Sequence, residues 1–528
     1  MTTATLTSAD APAGTPPTTT VSWRQWVAFL SMVFGMFMAI LDIQIVASSL
    51  NEIGAGLSST RDEISWVQTS YLIAEVVMIP LSGFLSRLLS TRILFFISVI
   101  GFSISSFLCA LSWDINSIII FRALQGFLGG AMIPTVFASV YIMFPVEKRP
   151  LVTVAIGLVA TMGPTLGPTL GGYITETFSW HWLFLINVAP GAMVAFLVWR
   201  FVRVDEPEHH LINKIDFVGI ILLALALGSL QFVLEEGNRH DWFSDTTIIG
   251  FSWTAGISGL AFAFWTYYNK HPIVDFSAFK SINFSMGSTY SFILGIGLYG
   301  CIYLLPVFLA IIRGYNSLQI GFVMFVTGAF QFMSAPIVGM ATKFMDLRIM
   351  LFFGLTLFAI STHLHSVMTT DYSFNELFAP QAIRGVAMMF CFIPINQLAL
   401  GNLPLNQVKN ASGLYNLMRN LGGAIGLSVL STIITQRTSL HYNRIAENIT
   451  GNNPVVLETY DMFLGLFTNL QTGNEESSAL SLLSGLVQKQ AILMAINDCF
   501  YLMSLLFAVS ILFVPFLNKP TFSTSEAH

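Results

Sequence analysis

Six ionisable residues stand inside long apolar runs of this chain: Asp42, Glu75, Arg122, Arg384, Arg419 and Asp498. A charge at the centre of a bilayer costs roughly 2.5–3.5 kcal/mol on insertion scales, so residues of this kind are kept for chemistry or for pairing. Asp42 and Arg122 have opposite signs, and two readings are open for them. In one, Asp42 exchanges a proton, and Arg122 or an arriving cationic substrate favours its ionised form. Proton release then accompanies substrate binding. In the other, a static pair ties two helices together. Glu75 lies four residues before Ile79-Pro80 in an apolar stretch where folding demands no polar group. It is a second candidate for proton exchange or cation contact, the alternative being a hydrogen bond to a neighbouring helix. Asp498, beside Asn497, is a further charge site. Arg384 and Arg419 read chiefly as structural charges.

A second stretch combines apolar character with residues that break soluble helices. Gly163-Pro164, Gly167-Pro168 and Gly171-Gly172 recur every four residues. A soluble helix loses about 3 kcal/mol or more at each interior proline, whereas a membrane helix finds other partners for the freed carbonyls. Glycines at 163, 167 and 171 form one bare stripe that admits a second helix at close range. The segment reads either as a moving part at the interface between two halves or as a simple packing seam.

The elements that must position these residues follow from composition. The 528 residues are 54% hydrophobic and 10% charged, against about 25% charged in soluble domains, so the chain is an integral membrane protein. A net charge of −5 without a basic stripe excludes nucleic acid as a partner. Cys109, Cys301, Cys391 and Cys499 are widely separated in apolar runs, which excludes a zinc signature and a disulfide framework. The segment 1–22 lacks a basic leader region and reads as a disordered tail.

A ruler of about 20 apolar residues per span places fourteen helices, numbered here spans 1–14: 26–49, 64–85, 93–112, 116–142, 151–174, 182–200, 216–234, 246–268, 284–311, 318–341, 349–368, 377–401, 410–434 and 490–516. Most of the 23 Lys and Arg residues fall at the ends of spans on the side of the termini, which predicts both termini in the cytoplasm. Pro80 to Arg87, followed by Arg92, matches Pro336 to Lys343, followed by Arg348, at a constant offset of 256 residues. Both copies join a second span to a third in the same direction, which predicts parallel repeats. Parallel halves around a midplane site are a transporter architecture. The predicted organisation is a tail over 1–23, a six-helix bundle over 24–201, two inserted helices over 202–282, a second six-helix bundle over 283–518 with an external loop at 435–488, and a tail over 519–528. The loop reads as a connector with short interfacial helices near 455–467, or as a docking surface.

Several stretches resemble motifs of the major facilitator superfamily, in particular of its fourteen-span drug:proton antiporters of the EmrB/QacA type. Leu41-Asp42-Ile43-Gln44-Ile45-Val46 resembles that group's first-helix motif, with Gln44 and Asn51 standing where Thr and Pro are usual. Gly83 through Arg92 is similar to the superfamily's loop motif, with Ser86 in place of the acidic residue. Arg122-Ala123-Leu124-Gln125-Gly126 resembles the fourth-helix arginine motif. Gly163 through Gly172, running on to Asn187-Val188-Ala189-Pro190-Gly191, is similar to the antiporter motif of exporters, with His181 in place of Arg. Asp216, Gly219, Gln231, Leu234, Gly237 and Asp241-Trp242-Phe243 are spaced as in fourteen-span members.

The resemblance implies an all-α major facilitator fold and proton-driven export of toxic or amphipathic small molecules across a bacterial inner membrane, without a cofactor. Uptake by the same fold is the alternative, and it fits poorly with the helix-5 motif. The resemblance also implies a cytoplasmic latch at Gly83, Arg87 and Arg92. With Ser86 in place of the acid, that latch needs Glu147, Asp346 or helix C-terminal carbonyls as partners. Relatives often work with a periplasmic adaptor protein and an outer-membrane channel, which are expected partners beside the substrate, protons and lipid. An enzyme is excluded on the residues themselves. There is no nucleophile elbow and no HExxH, and His363 and His365 are two apart, a poor ligand spacing on a helix.

Overall fold

The computed structural model describes residues 21–450, 453–470 and 474–519. The predicted tails therefore lie almost wholly outside the described residues. Among the described residues, fourteen helices are long and apolar enough to cross a bilayer: Trp23–Ala47, Glu63–Leu89, Thr91–Ala110, Ile115–Met143, Arg149–Thr177, His181–Phe201, Phe217–Glu236, Thr246–Tyr268, Ile282–Ile311, Leu318–Ala341, Leu347–His365, Phe374–Leu400, Leu405–Ala446 and Glu475–Phe516. The first twelve agree with the apolar ruler to within about four residues at each end. The reason is local: an apolar run sets the length, and polar caps end it. Ser22 with Gln25, Thr60 with Glu63, Asp114 with Ser117, Asn316 with Gln319 and Ser373 with Glu376 all form reciprocal capping boxes, which satisfy the first orphan N–H groups of spans 1, 2, 4, 10 and 12.

Two spans are broken where the site is built. Span 4 is helical over Ile115–Gly129 and Met132–Met143, with a turn at Gly130 and Ala131 between them. A Cβ on Gly130 would lie 2.9 Å from the Glu75 carbonyl oxygen, so the break sits in the close contact of spans 2 and 4. Span 6 is helical over His181–Leu185 and Val188–Phe201. Pro190 has no N–H for the Ile186 carbonyl, which accounts for this interruption.

The first half packs span 1 against spans 5 and 6 and span 4 against spans 2 and 3. The second packs span 9 against 13, span 12 against 10 and 11, and span 14 against 11 and 13. The halves meet where span 5 packs on span 10 and span 2 on span 13. Span 7 rests on span 2, and span 8 packs chiefly on span 7. Span 8 is only 17% buried across its apolar window, against 83% for spans 4 and 12, so most of it faces outward. Asn283, at the start of span 9, exchanges hydrogen bonds with Asn518 at 3.2 and 2.9 Å. An even number of spans thus puts both termini on one face, here called the terminal face.

The expected loop at 435–488 is largely helical. Span 13 runs unbroken from Leu405 to Ala446, 42 residues, or about 63 Å at 1.5 Å per residue. That is roughly twice the hydrocarbon thickness of about 30 Å. No Gly or Pro stands between Ser428 and Thr450 to stop it. A separate helix covers Pro454–Leu470 and packs on span 14, which itself begins at Glu475. Helices therefore project from the far face. Apolar length marks where a span sits in lipid, not where its helix ends.

Candidate functional site

Asp42 is buried in the far-face part of span 1 and meets Arg122 Nη1 at 2.6 Å, both side chains being wholly inaccessible. The second carboxylate oxygen accepts from Asn187 Nδ2 at 2.7 Å and Gln125 Nε2 at 3.2 Å. Arg122 further donates to Gln125 Oε1 at 2.9 Å and to the Val67 carbonyl at 3.1 Å, and its guanidinium stands 4.2 Å from the Tyr71 ring centroid. Asn187 sits in the break of span 6 and also donates to Ser106 at 3.1 Å. One ion pair thus ties spans 1, 2, 4 and 6 together. Both carboxylate oxygens of Asp42 are satisfied, while Arg122 Nη2 is buried without a hydrogen-bond partner among the described residues.

Glu75 is placed differently. It is 3% exposed and lines a cavity of about 480 Å³ between the halves. The cavity wall comes from the far-face ends of spans 1, 2, 5, 7, 9 and 13, including Gln44, Gln68, Pro168, Glu235, Tyr299 and Asn420. It contains two carboxylates, Glu75 and Glu235, and no Lys, Arg or His. A narrow recess beneath it is lined by Ile40, Glu75, Tyr299 and Arg419. Glu75 and Tyr71 are one turn apart on span 2, so the cavity carboxylate shares a helix with the ring that packs on Arg122.

The glycine stripe of span 5 faces span 1. A Cβ on Gly163 would lie 2.7 Å from Ile40, one on Gly167 would overlap Gln44, and one on Gly171 would overlap Ser48. Positions 163, 167 and 171 thus match 40, 44 and 48, the helix that carries Asp42. Pro164 and Gly172 are buried beside them, and Pro168 lines the cavity. This corrects the expectation that the stripe lies between the halves. Where span 5 meets span 10 the close-facing glycines are on span 10: Gly321 faces Thr169, Gly328 faces Thr165 and Gly339 faces Val154, while Gly157 of span 5 faces Phe392 of span 12. The second half repeats the intra-half pattern, Gly422 closing on the Phe292 backbone and Gly426 on Ile296.

On the terminal face the halves are shut. Lys409 of span 13 pairs with Asp205 and donates to the Ser86 carbonyl at 3.1 Å, while Asp205 also accepts from Thr91 N–H at 3.0 Å. A Cβ on Gly83 would lie 2.7 Å from Asn410 Cα. Tyr141 donates to Asn396 Oδ1 at 2.8 Å, and Ser412 to the Pro134 carbonyl at 3.0 Å. Arg87 Nε and Arg92 Nε are buried without a hydrogen-bond partner among the described residues, and the cation that reaches a helix-terminal carbonyl is Lys409, from the opposite half. Asp346 pairs with Arg348 on its own side at 2.9 Å. The Arg87 carbonyl accepts from Glu208 N–H at 2.9 Å, and Arg92 stacks 4.3 Å from the Trp199 ring centroid.

The remaining charges are dispersed. Arg384 Nη2 donates to Thr327 at 2.9 Å, from span 12 to span 10, as Arg122 reaches from span 4 to span 2 in the first half. Arg419 donates to Asn416 at 2.6 Å and lies against Phe137 and Phe392. Asp498 is not a core charge. It meets His441 at 2.8 Å and Arg437 at 3.6 Å, with its side chain 35% exposed, on the far-face extension of span 13.

Sequence reasoning missed Asn187 as a carboxylate partner and Glu235 as a cavity residue. The signal for Asn187 was its place three residues before Pro190. Glu235 and Glu236 close span 7 and read as a span end.

A model described as the Major Facilitator Superfamily matches residues 32–427. The colistin resistance protein EmrB of Acinetobacter baumannii is 40% identical over 494 residues, covering 94% of this chain and 96% of that protein. The fatty acid resistance protein FarB of Neisseria gonorrhoeae is 31% identical over 94% and 96%, and the multidrug export protein EmrB of Escherichia coli is 30% identical over 93% and 95%. Among solved structures, the proton:xylose symporter XylE superposes with a TM-score of 0.62 at 12% identity, covering 95% of this chain and 97% of that one. At that identity the likeness speaks to the fold alone. A fourteen-span helical chain in two halves, matched along most of its length by these proteins, belongs to the major facilitator superfamily, within its EmrB-like group of drug:proton antiporters.

Proposed function

We propose that this chain exports lipophilic cationic molecules in exchange for protons, with Glu75 as the carboxylate that trades a proton for a cation. The observation that carries this reading is the far-face cavity, lined by carboxylates and free of basic side chains. A site of that charge attracts cations, and its tyrosines offer faces for them. The Asp42–Arg122 pair sits behind Glu75 as a charged anchor that holds four spans around it. With the terminal face shut and the cavity beyond it, this geometry corresponds to the state that releases substrate and takes up protons. The excess of Lys and Arg on the terminal side supports cytoplasmic termini and so an outward-facing cavity. The helices projecting from the far face support docking of an external adaptor that leads to an outer-membrane channel.

In energised inverted vesicles, tetraphenylphosphonium should discharge the pH gradient when the chain is present. Glu75→Gln should abolish that discharge while leaving membrane insertion intact. A Glu75→Gln protein that still couples the cation to the gradient removes Glu75 from the mechanism. A panel of lipophilic cations that never discharges the gradient removes cation antiport.

A further inference from the structure

The inserted helices contribute a group that the exchange at Glu75 does not use. Span 7 packs on span 2 of the first half and on span 13 of the second. Past its end, Asn238 donates to Ser431 at 2.7 Å and Trp242 Nε1 to Thr432 at 3.0 Å. Span 7 is therefore a wall of the cavity and not a spacer. Glu235 lines that cavity, and Gln231 Nε2, one turn earlier, donates to its carboxylate at 2.9 Å. No basic side chain of the described residues pairs with it. Its neighbour Glu236 points the other way, accepting from Thr69 at 3.0 Å and from Arg239 at 3.4 Å.

The Thr69–Glu236 bond sets the depth of this group. Glu235 stands near the level of Thr69 on span 2, and Glu75 lies six residues deeper on the same helix, or about 9 Å at 1.5 Å per residue. The two carboxylates are thus anchored at different depths of one cavity, which leaves room for two separate positive centres. Arg419 reaches only the recess beneath Glu75, so it leaves Glu235 uncompensated.

We propose that Glu235 is a second cation-binding carboxylate and that the cavity takes lipophilic dications, one positive centre at Glu75 and the other at Glu235. This rests on the cation-exporter reading above. Tyr299 and Tyr303 of span 9 also line the cavity and supply apolar surface for the hydrocarbon that joins the two centres. The inserted pair of helices thereby sets substrate charge.

The test compares two probes that differ by one charge on the purified full-length protein in detergent. Hexamethonium carries a trimethylammonium at each end, and hexyltrimethylammonium carries one. Calorimetric titration should show the dication binding at least about tenfold more tightly to the unaltered protein. Glu235→Gln should erase that preference by weakening hexamethonium about tenfold, with hexyltrimethylammonium changed less than about threefold. Retained monocation binding shows that the variant is folded. A variant that keeps the dication preference, or loses both probes equally, overturns the assignment. An unaltered protein that binds neither probe overturns the cation-exporter reading beneath it.

Discussion

Replacing Asp42 by Asn tests whether the buried pair is an anchor or a proton carrier. One oxygen of Asp42 receives Arg122, and the other receives both Asn187 and Gln125. All three partners are donors. An asparagine keeps one acceptor and adds an NH₂ group, so in either amide orientation a donor faces a donor. The change also leaves the Arg122 charge buried without its counter-ion, which costs about 3–5 kcal/mol. Arg122→Gln in the same protein removes that charge, so the double variant should recover an interaction energy on the order of 2 kcal/mol. Thermal unfolding of the four proteins in detergent, set out as a double-mutant cycle, reads this directly. The anchor argument requires Asp42→Asn to unfold well below the parent protein and the double variant to unfold above Asp42→Asn. An Asp42→Asn protein with an unchanged unfolding midpoint and no transport refutes it, and assigns Asp42 to the proton path instead.

Three further outcomes follow from the packing. Gly167→Leu should lower both stability and transport, because even a Cβ overlaps Gln44 and overpacking costs about 1–3 kcal/mol; wild-type thermal stability in this variant would show that the seam can open. At the interface between halves, Gly321→Ala should slow transport through collision with Thr169, whereas Gly328→Ala should be silent, since its Cβ would stand 3.7 Å from Thr165; equal transport rates in the two variants count against a close-packed seam. Lys409→Met removes the pair with Asp205 and the bond to the Ser86 carbonyl, so the cavity-open state should be less populated. Labelling of a Leu427→Cys reporter in the cavity wall should slow accordingly. The four native cysteines are buried and give little background, and an unaltered labelling rate would deny Lys409 a role in the latch.

The residues Gly163, Gly167 and Gly171 show how far sequence reading reached. Helical periodicity placed them on one face and required a close neighbour there, since three glycines in line leave room only for a backbone. It could not say which neighbour, because helix periodicity carries no information about the partner. The chain brings span 1 to that face, in register with Ile40, Gln44 and Ser48, and leaves the seam between spans 5 and 10 to glycines on span 10.

Span number, the repeat and the embedded charges were legible because apolar length and the cost of a charge in lipid are properties of short stretches. Asp42 and Arg122 were recognisable as charges in need of partners for the same reason. The partners were decided only in three dimensions. Asn187 reaches Asp42 through a helix break, with 145 residues of chain between them. Lys409 crosses from the second half to meet the Ser86 carbonyl of the first and Asp205 just past span 6. Glu235 looked like the polar end of an inserted span, and it became part of a cavity because spans 2, 7 and 13 converge there. The far-face helices escaped the apolar ruler because a helix leaving the bilayer keeps its own hydrogen bonds, so polar sequence does not end it. What the chain is made to cross was written in short runs of residues, and which side chains face one another was settled by the packing of helices far apart in sequence.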